Sequence, residues 1–173
     1  DIDGDGAADH SGFSVSLSDD GTVVAIGAPD YNNTGSNDGH VRIYAWSGSV
    51  WAQRGSDIYG EAAGDRSGYS VSLSDDGSIV AIGANENDGT GSNAGHVRVY
   101  AYEDDAWAQR GSDIDGEAAN DNSSRNVSLS EDGSVVAIGA HGNDGTGSNA
   151  GHVRVYAWND SAWVQRGSDI DGE

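Results

Sequence analysis

The 173-residue sequence has no cysteine, no methionine and no lysine, and a single proline. Without cysteine there is no disulfide framework, no thiolate metal site and no thiol nucleophile. Without lysine, the 8 basic side chains are all arginine; they face 29 acidic ones, giving a formal charge of −21. Such a chain repels phosphate backbones and anionic bilayers, which excludes broad electrostatic binding of nucleic acid or membrane surface. No apolar run approaches the ~20 residues that cross a bilayer as a helix, so no membrane insertion is expected. There is no G-x-S-x-G elbow and no P-loop, and carboxylates are too common for any pair of them to single out an acid–base site.

What is present is repetition. The sequence matches itself at a period of 56 residues, and such a period decides how everything else is read. Asp1-Ile2 returns as Asp57-Ile58, Asp113-Ile114 and Asp169-Ile170; Gly39-His40-Val41-Arg42 returns at Gly95 and Gly151. Residues 57–112 and 113–168 are identical at 42 of 56 positions. Residues 1–56, 57–112 and 113–168 thus form three units, and 169–173 begin a fourth. This phase predicts a window on a longer repetitive polypeptide.

Each unit reads as four strands. Phe13, Val15 and Leu17 alternate with Ser14, Ser16 and Ser18, the period of a strand with one buried face. Asp19-Asp20-Gly21 signals a tight turn. Thr22 to Ala28 is a nearly continuous small and β-branched run, suited to a strand covered on both sides. A polar loop follows, seen cleanly as Asn85 to Gly95. Val41 to Trp46 alternates again, Ser47-Gly48-Ser49 turns, and Val50 to Arg54 makes a fourth strand. No stretch has helical periodicity. The expected fold is all-β: tandem four-stranded antiparallel blades of the β-propeller type, part of a longer array or ring. A lone blade cannot bury both faces, so its stability comes from its neighbours.

The run Ser11-Gly12-Phe13, then SVSLS-DDG, then Val24 to Pro29 (VAIGAP), resembles the FG-GAP repeat of integrin-α-like β-propellers. Pro29 becomes Asn85 and His141 in the later units, and Ser124-Arg125 replaces the Gly-aromatic pair in the third. The resemblance implies extracellular, non-catalytic binding or adhesion modules. The hairpin after Ser18 is too short for the calcium loop often found there in that family.

Asp1, Asp3, Asp5 and Asp9 stand in a D-x-D-x-D-G-x-x-D pattern, which offers hard oxygen ligands for Ca²⁺ around a turn-forming glycine. The bland alternative is an acidic solvated turn, and the pattern decays in the later units. Four N-x-[ST] sequons, at Asn32, Asn122, Asn126 and Asn159, offer N-linked glycan acceptors if they lie on the surface of a secreted chain. Asn126 holds the polar-face position of Ser14 and Ser70 and is expected to point outward. The loops 87–93 and 143–149 read as turn chemistry rather than sugar or metal sites. His40, His96 and His152 read as structural, each bonded to a turn carbonyl. Arg42, Arg98, Arg154, Arg54, Arg110 and Arg166 read as ion-pair partners of the carboxylates. Trp46, Trp51, Trp107, Trp158 and Trp163 read as packing between blades.

Two functions follow. The first is a non-enzymatic structural repeat protein, extracellular or at the cell surface and glycosylated. It would form part of a fibre or surface assembly by self-association with further repeats or copies. The alternative is an adhesion module that recognises protein or glycan, with Ca²⁺ as cofactor.

Overall fold

The computed structural model describes all of residues 1–173. Alternation makes β1 (Ser14–Leu17), and the small, branched run makes β2 (Val23–Ala28). Between them, Asp20 Oδ1 accepts the Ser18 hydroxyl at 2.8 Å and the Thr22 amide at 2.9 Å. Gly21 takes the positive φ of 69° that this turn needs. The same turn returns at Asp132, where the Ser130 hydroxyl and the Ser134 amide and hydroxyl hold the carboxyl down to about 2. β3 (His40–Trp46) pairs with β2 along its whole length, and β4 (Trp51–Gln53) closes a hairpin on the C-terminal half of β3. A fifth strand, β5 (Ile58–Tyr59), pairs with the N-terminal half of β3. The outer edge of the sheet is therefore one strand broken in two.

The second sheet holds β6 (Ser70–Leu73), β7 (Ile79–Ala84), β8 (His96–Glu103), β9 (Ala106–Gln109) and β10 (Ile114–Asp115). The third holds β11 (Ser123–Leu129), β12 (Val135–Ala140), β13 (His152–Trp158), β14 (Trp163–Gln165) and β15 (Ile170–Asp171). All pairs are antiparallel, in matching register from sheet to sheet. The third sheet alone slips register between Ser123 and Asn126, where Ser124 and Arg125 replace the Gly-aromatic pair. Arg125 fills the vacated role by stacking: its guanidinium lies 5.6 Å from the Tyr69 ring, which itself sits 4.8 Å from Phe13.

The sheets stack face to face, with inner strands β1, β6 and β11 packed side by side. The first core joins Val23, Ala25, Val41, Ile43 and Ile58 of the first sheet to Val71, Leu73, Val80, Ile82 and Tyr100 of the second. The next joins Ala81, Val97, Val99 and Ile114 to Val136 and Ile138, with Leu129, Tyr156 and Trp163 packed on it. No sheet has a core of its own; each core lies in a seam. Glycine makes the close approach possible. A Cβ on Gly83 would meet the Ser124 carbonyl oxygen at 2.4 Å.

Three all-β blades of antiparallel strands are what the sequence pattern predicts. The short strands β5, β10 and β15 are not. They place the sheets at Ser14–Tyr59, Ser70–Asp115 and Ser123–Asp171, so the 56-residue frame falls just before each sheet's last strand. No helix is long and apolar enough to cross a membrane.

Candidate functional site

The inner strands show how a seam is built. Val71 and Leu73 of β6 point back into the preceding sheet, while the serines between them point forward. Ser14 Oγ donates to the Gly68 carbonyl and Ser70 Oγ to that of Ser124, both at 2.7 Å. Ser16 Oγ accepts the Leu73 amide and Ser72 Oγ that of Leu129, both at 3.0 Å. At the rim, Trp107 Nε1 donates to the Arg54 carbonyl at 2.7 Å, and Trp163 Nε1 to that of Arg110 at 2.8 Å. Arg54 and Arg110 answer with bonds to the Gly77 and Gly133 carbonyls. Their guanidiniums stack over Tyr102 at 4.2 Å and Trp158 at 4.9 Å. These two arginines form no ion pair: the indole and phenol faces hold them instead.

Each seam has a matching half left open at the ends. Leu17 is 59% exposed where its counterpart Leu73 is 7%. On the opposite face of the third sheet, Ile170 is 62% exposed where Ile114 is 4%. Val15 and Val153 are exposed likewise. Residues 1–5 already mimic a preceding blade. Arg42 Nη2 donates to the Asp3 carbonyl at 2.8 Å, as Arg98 does to Tyr59 and Arg154 to Asp115.

A second constellation recurs at the outer part of every unit. Asp5, His40 and Asp57 converge; so do Glu61, His96 and Asp113, and Glu117, His152 and Asp169. Each histidine opens β3, β8 or β13 and is buried. Its Nδ1 faces the aspartate Oδ2 at 3.6, 3.7 and 3.6 Å respectively, too far for a hydrogen bond. No turn carbonyl accepts from these rings, contrary to the sequence expectation, because the loop carbonyls bond backbone amides: Asp38 O, for one, takes Ser67 N. His40 Nδ1 is buried with no partner, as is Nε2 of His96 and of His152. Burial pushes the His40 and His96 pKa values down, so both rings are neutral near pH 7. Of the arginines read as ion-paired, Arg42 bonds Asp5 at 2.7 Å, while Arg98 and Arg154 lie 3.5 and 3.6 Å from Glu61 and Glu117.

The sequence-derived candidates fall as follows. Asp5 joins His40 and Asp57 rather than Asp1, Asp3 and Asp9. One Asp5 oxygen and the Asp3 carbonyl are held by Arg42. Asp9 is buried, and its counterparts Asp65 and Asp121 cap a turn by accepting the Ala62 and Ala118 amides. The four aspartates are not gathered into one calcium cage in this conformation. Asn32, Asn126 and Asn159 are exposed; Asn122 is half-buried, with Ser124 of its sequon fully buried. Asn126 is exposed on β11 at the position from which Ser14 and Ser70 bond the next sheet. In loops 87–93 and 143–149, Asn87 and Asn143 accept the Gly89 and Gly145 amides, as turn chemistry requires.

Residues 59–100 match the family model of the FG-GAP repeat. The middle unit is an FG-GAP repeat. The flanking units share its pairing and register. No curated protein matches the sequence. Among solved structures the fold is similar to that of a Bacteroides uniformis protein provisionally named a 6-phosphogluconolactonase. The TM-score is 0.60 at 14% identity, over 91% of this chain and 40% of that one. It is also similar to Kuenenia stuttgartiensis hydrazine synthase, with TM-score 0.55 and 14% identity over 98% of this chain and 40% of the other. Saccharomyces cerevisiae Sqt1 gives 0.55 and 15% over 92% and 35%. At these identities the likeness establishes the β-propeller-type fold alone. The chain spans about two fifths of the length of these structures.

Proposed function

We propose that this chain is a non-enzymatic structural repeat module that builds an extracellular assembly by adding blade to blade. One observation carries the reading. Its two uncovered faces are the two halves of a seam that the chain already makes twice. Leu17, Val15 and Trp51 offer what Leu73, Val71 and Trp107 offer inside; Val153, Ile170 and Arg166 offer what Val97, Ile114 and Arg110 offer. Interfaces that repeat without closing generate arrays, and those that close generate rings. The acidic surface and N-glycans at Asn32 and Asn159 would keep such an assembly hydrated. A glycan at Asn126 would sit on a seam and cap the growing end.

Sedimentation velocity over a range of chain concentrations tests this. Mass-action growth is expected for the wild type, and loss of growth for Leu17→Asp. A single 173-residue species at every concentration refutes it. The FG-GAP match supports a second reading, an adhesion module for protein or glycan. A glycan array with and without Ca²⁺ addresses that one, and a blank array in both removes it.

A further inference from the structure

The geometry points to three equivalent seam sites for a divalent first-row transition ion of the Zn²⁺ class. Each is built from a buried histidine side chain, whose Nδ1 faces an aspartate, and two carboxylates: Asp5, His40 and Asp57; Glu61, His96 and Asp113; Glu117, His152 and Asp169. The sites do not depend on self-association, and only Asp5 is shared with the Asp1–Asp9 pattern.

Both carboxylates of a site are already oriented by neighbouring side chains. Gln53, Gln109 and Gln165 donate through Nε2 to Oδ1 of Asp57, Asp113 and Asp169 at 2.5, 2.6 and 2.6 Å. This leaves Oδ2 turned toward the imidazole. In the first site Tyr59 also donates its hydroxyl to Asp57 Oδ2 at 3.1 Å. Arg42, Arg98 and Arg154 lie against one oxygen of Asp5, Glu61 and Glu117. Outer groups that aim ligands in this way are what a metal site requires.

The His40 side chain is 1% exposed, and its Nδ1 has no hydrogen-bond partner. A buried nitrogen held before two carboxylates is costly unless something completes it. The Nδ1-to-oxygen distances to Asp57, Asp113, Asp169 and Glu117, 3.6–3.8 Å, are too long for a hydrogen bond, and the ligand atoms of each site all lie within 4.8 Å of one another. The Nδ1 distances lie near the ~3.3 Å that separates two ligands of one tetrahedral ion with bonds of ~2.0 Å. One imidazole and two carboxylates, with the exposed side left for water, make a Zn²⁺-type set; Ca²⁺ prefers six to eight oxygens.

The sites also straddle the seams. Glu61 follows the last strand of the first sheet, whereas His96 and Asp113 belong to the second. Glu117 stands in the same relation to His152 and Asp169. An ion there would fasten one blade to the next.

The test is calorimetric titration of the full chain with Zn²⁺, with excess Ca²⁺ present to occupy surface carboxylates. Three equivalents are expected, falling by one with each of Asp57→Asn, Asp113→Asn and Asp169→Asn. In the wild type, imidazole nitrogen NMR resonances of His40, His96 and His152 shift with Zn²⁺; this readout stands if the triple variant fails to fold. No uptake overturns the proposal. So does uptake unchanged in a folded triple variant, or imidazole resonances that do not move.

Discussion

Truncating Leu73 to alanine, and separately its repeat counterpart Leu17, isolates what one seam contributes. The two residues share strand position, neighbouring serines and hairpin turn; they differ in whether another sheet lies against them. Leu73 sits in the first core with Val23, Ile43 and Val80, whereas Leu17 faces solvent. Leu73→Ala removes buried methyl groups and leaves a cavity between two sheets, which costs about 3 kcal/mol. Leu17→Ala removes groups that are mostly hydrated already and costs about 0.5 kcal/mol. With a urea m-value of about 2 kcal/mol/M, the first lowers the unfolding midpoint by about 1.5 M and the second hardly moves it. The measurement belongs at low chain concentration, where the open face stays uncovered. At high concentration Leu17→Ala instead weakens association. Equal losses for the two variants would refute the claim that stability resides in the seams rather than within each sheet.

Trp107→Phe deletes the Nε1 bond to the Arg54 carbonyl and is expected to cost about 1–2 kcal/mol by urea unfolding. Trp51→Phe, at the repeat position where the indole makes no such bond in this structure, should cost well under half of that. Gly83→Ala drives a methyl toward the Ser124 carbonyl oxygen, whereas a Cβ on Gly139 meets nothing nearer than 3.8 Å. A thermal melt should show the first destabilised by about 2–3 kcal/mol and the second close to wild type; the reverse order would contradict the stacking. The Asp132 carboxyl, held down to about 2 by its turn hydrogen bonds, titrates below the ~3.9 of an unfolded chain. Its contribution to the hairpin is complete above that unfolded value and is lost as pH falls through the folded one. Carboxyl carbon NMR between pH 5 and pH 1.5 reads it directly, and an ordinary pKa would show that the turn does not form.

Much of this architecture was legible because alternation is a local signal. Val15 and Leu17 against Ser14 and Ser16 announce a strand, and Asp20-Gly21 announces its turn, with no knowledge of what lies opposite. The two-residue strands such as Ile58–Tyr59 were not legible, since two residues carry no period. Nor were the seams: the bond from Trp107 to Arg54 spans 53 residues, and a repeat hides which copy is the partner. The serines look solvent-facing by alternation, yet Ser70 is buried because the next blade covers it. Arg54 and Arg110 looked like ion-pair partners among so many carboxylates; aromatic faces captured them. The histidine clusters escaped notice because Asp57 precedes the frame's obvious strands and Asp5 lies 35 positions from His40. Only the approach of β5 to β3 brings the aspartate and imidazole together.

The broken outer strand makes the covalent period and the folding period differ in phase. A fragment excised at 57–112 would lose Ile114–Asp115, which finish its own sheet, and keep Ile58–Tyr59, which finish another's. Cutting instead between Gly60 and Tyr69 delivers a blade with all five strands. Duplication of the gene is indifferent to where the scissors fall; a protease, or an engineer stringing these modules together, is not.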